Sequence, residues 1–322
     1  MLTGAGWRSV AVLAACAVLG ACAGPDAEVG LEEPGRFELF VLGIAQDGGV
    51  PHVGCVRACC EEARAGGRER YPASLAVHDR ETGQTCLLEA TPRIEPQLAL
   101  LHELSGLAPR ARHPVDAVLL THAHIGHYLG LAQLGHEVAS TEHTPVWVTP
   151  RFAEFLREHG PWSQLVEFGQ IDLREVTADV PFEPLAGLSV RAIPVPHRDE
   201  FSDTVAFRIA GPRRTVLFVP DIDAWSDAPE LLDELLEGVD VAYLDATFYD
   251  GSELPGRDLT QIRHPFVTDT MERLAAAARE RPGRIRFIHL NHSNPLLVDE
   301  GLRAALEARG FRVARRGERV GL

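Results

Sequence analysis

The chain has 322 residues, 45% of them hydrophobic, and a formal net charge of −15. That length and apolar content supply either one large core or two fused halves. The acidic balance excludes broad attraction to a phosphate backbone, which needs clustered Lys and Arg, so no nucleic-acid partner is expected.

The chain opens with a single early Arg, Arg8, and the apolar run Val10 to Leu19. The run is too short to span a bilayer and has the length of a secretory signal's hydrophobic core. It ends in Leu19-Gly20-Ala21-Cys22, which resembles a bacterial lipoprotein box. The resemblance implies a signal peptide over residues 1–21, lipidation of Cys22, a tether over 22–35 and a folded domain over 36–322. An ordinary signal peptide cut at an Ala-x-Ala-like site is the alternative. Either way the mature protein is expected in the bacterial cell envelope, and lipidation would leave it membrane-anchored and periplasm-facing. No second segment is long enough to cross a membrane.

Hydrophobic patterning then predicts a strand over 37–43, a Gly-rich loop over 46–51, and strands at 74–77 and 86–89 around the turn 81–83. An amphipathic helix is expected over 94–104, a buried strand over 116–120, a strand at 146–148 and a helix over 151–159. Further strands fall at 188–193, 204–209, 215–219 and 239–244. Helices at 266–280 and 298–308 flank a strand at 285–290, and a last strand lies at 311–314. Cys55, Cys59 and Cys60 crowd together beside His52, a grouping that suits a structural zinc site or a local disulfide equally. Cys86 reads as a buried strand residue.

The stretch that organises the chain is Thr121-His122-Ala123-His124-Ile125-Gly126-His127. Three imidazoles sit on a short loop between a strand and the apolar start of a helix, held rigid by both. Imidazole suits zinc and iron, and such sites recruit further His or carboxylate ligands from elsewhere. At these residues the chain resembles the metallo-β-lactamase-fold superfamily, whose signature is His-x-His-x-Asp-His after a strand. The resemblance implies an αββα sandwich; patterning alone gives only α/β. It also implies that His122 and His124 bind one metal and His127 a second. Gly126 stands where the signature has Asp, which leaves the second site one ligand short.

The remaining ligands are sought at later strand ends. His197, in Ile193-Pro194-Val195-Pro196-His197, is the expected third ligand of the first site. The resemblance implies a bridging carboxylate, and Asp221, after Leu217-Phe218-Val219-Pro220, takes that family position, with Asp223 as a helix cap or as the ligand in a register shifted by two. The resemblance also implies a late His ligand at a strand end, which is His289, with His292 as alternate or outer partner. His264 and Asp47 are candidates for the vacancy left by Gly126. Asp221 and His127 are the expected catalytic pair, and Trp225, Phe248, Tyr249 and Arg198 are candidate pocket residues.

A finer resemblance, to the pyrroloquinoline quinone biosynthesis protein B-like branch, rests on Val41-Leu42-Gly43-Ile44-Ala45-Gln46-Asp47-Gly48-Gly49, Leu88-Glu89-Ala90-Thr91-Pro92, Asp245-Ala246-Thr247-Phe248 and Ile288-His289-Leu290-Asn291-His292-Ser293-Asn294-Pro295. This chain departs from that branch in its fuller His set and its export signal. The expectation is therefore an exported hydrolase with one or two catalytic Zn2+, and one more if the Cys cluster binds metal. Metal-bound hydroxide would attack an ester, amide, lactone or phosphodiester bond of a small-molecule substrate. The alternatives are processing of a quinone-cofactor precursor, with iron or zinc in the same ligands, and a non-catalytic metal- or ligand-binding lipoprotein. Oligomeric state is left open.

Overall fold

The structure is a computed structural model that describes Met1 and residues 35–258 and 263–322. The expected signal peptide, Cys22 and the tether, but for Met1 and Gly35, lie outside the described residues. Residues 35–258 and 263–322 fall in one compact unit, and among the described residues no helix is long and apolar enough to cross a membrane.

β1 (Phe37–Gly43) shows how the layers form. Alternate side chains of a strand face opposite sides of its sheet. Leu39 and Val41 join the core between the two sheets, whereas Phe40 and Leu42 join the cluster beneath the outer helices. A strand covered on both faces must be apolar on both, which is why the run Phe-Glu-Leu-Phe-Val-Leu lacks strict alternation. The first sheet also contains β2 (Ser74–Asp79), β3 (Thr85–Leu88), β4 (Ala117–Leu119), β5 (Thr144–Val148) and β6 (Ile171–Glu175). The second holds β7 (Phe182–Leu185), β8 (Leu188–Pro194), β9 (Val205–Ala210), β10 (Thr215–Val219), β11 (Val241–Asp245), β12 (Ile285–Ile288) and β13 (Arg312–Val313). β14 (Arg319–Gly321) returns to pair with β1, so the orders are β14-β1-β2-β3-β4-β5-β6 and β13-β12-β11-β10-β9-β8-β7. In each sheet the antiparallel end gives way to parallel pairing, at β3–β4 and at β10–β11.

Val190, Phe207, Leu217 and Phe218 of the second sheet share a core with Leu75, Leu88 and Leu119 of the first. Each such side chain contributes about 1.5–3 kcal/mol on full burial. Helices α2 (Ile94–Ser105) and α4 (Pro150–Glu158) cover the first sheet. α4 starts where Thr149 accepts a bond from the Phe152 amide and Pro150 presets the first turn, and it buries Phe152, Phe155 and Leu156. Leu232 and Leu235 of α6 (Leu231–Leu236), Met271 of α7 (Val267–Arg273) and Leu306 of α9 (Glu300–Ala308) pack with the second sheet. The layers are helix, sheet, sheet and helix, the expected αββα sandwich.

Most predicted elements recur within a residue or two. The strands expected over 86–89 and 285–290 stop short, at Leu88 and Ile288. Glu89 and His289 take positive φ (72° and 65°), and a left-handed residue cannot continue a strand. The helix expected over 266–280 is two, divided at Leu274: α7 and α8 (Ala275–Glu280). The short elements α1 (Ala58–Gly66), α5 (Trp162–Glu167), α6, β6, β7 and β14 were not legible as elements.

Candidate metal centre

The candidate ligands lie where strands end, around one rim of the sandwich. α3 (Ile125–Tyr128) starts directly after His124 and continues into a 3-10 turn over Leu129–Leu134. The His loop is tied across to the second sheet: Val205 N–H donates to the Thr121 carbonyl (3.1 Å) and Ala123 N–H to Ser202 Oγ (2.7 Å).

His122, His124, His197 and Asp221 form one group. His124 Nδ1 is 2.9 Å from His122 Nε2 and 3.2 Å from His197 Nε2. Asp221 Oδ2 is 3.5 Å from His122 Nε2 and 3.2 Å from His197 Nε2. Tetrahedral ligands about 2.0–2.1 Å from zinc stand about 3.3–3.4 Å apart, so these edges fit an ion at their centre. One proton satisfies a single pair of facing imidazole nitrogens; a cation satisfies all of them. Each buried ring is aimed through its other nitrogen. His197 Nδ1 meets Asp223 Oδ1 at 3.0 Å, and His122 Nδ1 meets Thr121 Oγ1 at 2.8 Å. Asp223 is therefore a positioning residue, itself paired with Arg263 at 3.0 Å, and Asp221 is the carboxylate in the cluster.

The second group is Asp47, His127 and His289. His127 Nε2 is 3.4 Å and His289 Nε2 3.7 Å from Asp47 Oδ1, and His127 Nε2 is 3.7 Å from Asp221 Oδ2. Asp221 thus stands between the two groups. Asp47 Oδ1, His127 Nε2 and His289 Nε2 are buried without a hydrogen-bond partner. Buried polar atoms are almost always paired, and three orphans converging on one point fit a cation. The far nitrogens are also occupied: His289 Nδ1 faces Thr247 Oγ1 at 3.0 Å, which donates to Asp245 at 2.7 Å, and His127 Nδ1 lies 3.2 Å from Glu89 Oε2, an ion-pair distance without hydrogen-bond geometry. Such carboxylate–imidazole pairs orient metal ligands.

The electrostatics agree. Burial lowers the affinity of His127 and His289 for protons, yet the surrounding carboxylates outweigh it, holding them up to about 10 and about 9. The same imidazoles outweigh burial at Asp47 and keep its carboxyl far below its usual range. The cluster demands positive charge, supplied by protons or by a metal. Asp47, Glu89 and His289 also share left-handed backbone, with Asp47 at φ 32°, conformations that cost of order 1–3 kcal/mol each and gather at functional sites.

His264 is not in the Asp47 group. Its Nδ1 bonds Asp245 Oδ2 at 2.9 Å and approaches Asp221 Oδ1 at 3.2 Å. Asp221, Asp245, His264 and His289 also lie close enough to form a metal-sized set. The hydrogen bond from His264 occupies Asp245, while Asp221 Oδ1 is left unpartnered; the Asp47 group is the better fit because all three of its converging atoms are unpartnered. Asp245, Glu89 and Thr247 were missed as site residues; their signal was their place at strand ends within the resembling segments.

A third group stands apart: Cys55, Cys59, Cys60 and His292. The three sulfurs lie 3.7, 3.5 and 3.7 Å from His292 Nδ1, and Cys59 and Cys60 Sγ are 4.0 Å apart. These are the edges of a Cys3His tetrahedron and are far outside the roughly 2.0 Å of a disulfide. His52, expected here, is not in the group. Its Nδ1 faces the Val53 carbonyl at 3.1 Å and its ring lies against His292, which takes the fourth corner. Cys86 is buried in β3, as expected of a strand residue. Among the candidate pocket residues, Trp225 is buried and bonded to Thr270, a packing role, whereas Phe248 stands edge-on to His264. Tyr249 is half-buried, and Arg198 pairs with Glu200 on the surface.

Residues 85–290 match the model of the β-lactamase superfamily domain, and the chain belongs to that superfamily. Its branch is that of coenzyme PQQ synthesis protein B. It is 30% identical to that protein of Methylobacterium nodulans, over 87% of this chain and 98% of the relative. Zn2+-bound PqqB from Methylobacterium extorquens superposes with a TM-score of 0.75 at 27% identity, over 88% of this chain and all of the other. A diphosphatase of the PhnP family shares the fold, with a TM-score of 0.62 at 21% identity.

Proposed function

We propose that this protein is a zinc-dependent hydrolase with a two-metal centre and a separate structural zinc. The observation that carries it is the convergence of buried, unpartnered Asp47, His127 and His289 atoms beside the His122, His124 and His197 set, with Asp221 between them. The Zn2+-bound relative supports zinc as the ion. His122, His124, His197 and Asp221 would hold one ion, and His127, Asp221, His289 and Asp47 the other. Cys55, Cys59, Cys60 and His292 would hold the structural one. Bound zinc supplies a Lewis acid and a water of lowered pKa.

The chain's own residues supply the rest. Asp221 keeps both groups in register and presents a carboxylate oxygen among three imidazole nitrogens. His264 keeps a window to solvent at 16% exposure. In the metal-free protein burial disfavours its charge, but Asp245 and Asp221 outweigh it and raise its proton affinity well above the ordinary histidine range. His264, hydrogen-bonded to Asp245 beside the centre, is the proposed proton donor to a leaving oxygen. The substrate is a small ester, amide, lactone or phosphodiester. We also propose export and lipidation at Cys22, supported by the Leu19-Gly20-Ala21-Cys22 box and tested by membrane fractionation with Cys22→Ala.

A second proposal, oxidative processing of a pyrroloquinoline quinone precursor with iron in the same ligands, is favoured by the near full-length likeness to coenzyme PQQ synthesis protein B. Both are tested by assaying zinc- and iron-loaded protein against a panel of esters, lactones and phosphodiesters while recording oxygen uptake with a reductant. Hydrolysis that a chelator abolishes and His197→Ala removes, without oxygen uptake, supports the hydrolase. Iron-dependent oxygen uptake on a quinone precursor, with no hydrolysis, overturns it.

A further inference from the structure

We infer that Asp47, delivered from the loop after β1, is the carboxylate ligand of the second metal, and that Gly126 is the vacancy that admits it. The inference rests on the two-metal proposal. The His loop carries no side chain at 126, and the space beside it is filled from elsewhere. A Cβ built on Gly126 would lie 2.0 Å from Asp47 Oδ1, 2.7 Å from its Cγ and 2.6 Å from its Cα. Contacts that short do not occur, and the last is to backbone, so no rotamer of Asp47 relieves it. Any side chain at 126 requires the Asp47 loop to move. Asp at 47 and Gly at 126 are thus two halves of one arrangement: the carboxylate comes from a second loop, and glycine makes room for it.

Two further features belong to a built ligand position. Asp47 is 39% exposed as a side chain, yet its Oδ1 is buried, unpartnered and aimed at the two unpartnered imidazole nitrogens. Its backbone is left-handed (φ 32°), a conformation Asp tolerates in a tight turn. The loop is also clamped to the strand end that carries His289. Gln46 N–H donates to the Leu290 carbonyl (2.8 Å) and Leu290 N–H to the Ile44 carbonyl (2.9 Å), locking Asp47 beside His289. A few residues on, the Cys55, Cys59, Cys60 and His292 group ties the same two loops together again. The Cys3His group therefore braces the pair of loops that carry Asp47 and His289.

The test uses the mature chain and zinc alone, counting metal per chain after equilibration at defined free zinc, with Co2+ substitution to report the thiolate site separately. Wild type is expected to hold about three equivalents: two at the centre and one at the cysteines. Asp47→Asn and Asp47→Ala should each hold one fewer. The second centre site should weaken by more than the roughly 10–100-fold that loss of an outer partner costs. The thiolate–cobalt band should stay unchanged. Gly126→Ala should lose the same equivalent although it removes no ligand, because its Cβ displaces Asp47. If Asp47→Ala loads like wild type while His289→Ala loses one equivalent, the assignment of Asp47 is overturned and the two-metal proposal stands. If wild type holds a single equivalent beyond the cysteine site, and neither Asp47→Ala nor His289→Ala changes it, the two-metal proposal falls and the inference with it.

Discussion

Replacing Glu89 by Gln changes one heavy atom and tests whether the centre depends on imidazole orientation. Glu89 is fully buried at the end of β3. Its Oε1 accepts from the Thr121 amide at 3.1 Å and its Oε2 lies 3.2 Å from His127 Nδ1. In Glu89→Gln the retained oxygen keeps the Thr121 bond, so an NH2 group faces Nδ1. Two donors cannot share that contact. His127 must then present a lone pair at Nδ1 and carry its proton on Nε2, the atom directed at Asp47 and Asp221. Flipping the amide only moves the conflict to the Thr121 N–H. The second metal would lose a lone pair without any ligand being deleted. Removal of such an outer partner costs about 10–100-fold in metal affinity, or about 1.4–2.7 kcal/mol at 1.36 kcal/mol per tenfold. Zinc competition against a chromophoric chelator measures this site by site. A Gln variant that holds the second metal at wild-type affinity, or loses the His122, His124 and His197 metal first, would refute the reasoning.

Zinc affinity should rise with pH, because His127 and His289, held at about 10 and about 9, must shed protons to bind metal. Calorimetry at pH 7 in buffers of different ionisation enthalpy should show proton release, and none would contradict the assignment. In the metal-free protein both raised values favour folding fully below the unfolded histidine value of about 6.5. That stability is lost as pH climbs through 9 and 10, so the melting temperature should fall from pH 7 to pH 10. Cys59→Ser and His292→Ala should each remove one metal equivalent and speed tryptic cleavage around Arg57 and Arg64, measured by mass spectrometry; unchanged zinc would rule out the Cys3His site. Phe207→Ala, between the sheets, should cost about 3–5 kcal/mol in denaturant unfolding without changing metal content at low temperature.

The order of strands and helices, and the His loop at a strand end, followed from the sequence alone, because burial on one or both faces imposes a local period on the residues. His197, Asp221 and His289 were chosen through the family resemblance, which directs the search to residues that follow apolar, strand-like runs, because strand ends are where rigid loops begin. The short elements were not legible, since runs of three to nine residues are too brief to show a clear period. Two decisions belonged wholly to tertiary structure. Proximity in sequence favoured His52 as partner of the cysteines, and the fold instead brings His292 across from the loop after β12. Gly126 read as a missing ligand, and the fold fills its place with Asp47, 79 positions earlier in the sequence. A metal site is a set of directions converging on a point. Sequence gives the chemistry of each donor and the strand that carries it; only the packing of two sheets fixes which donors meet.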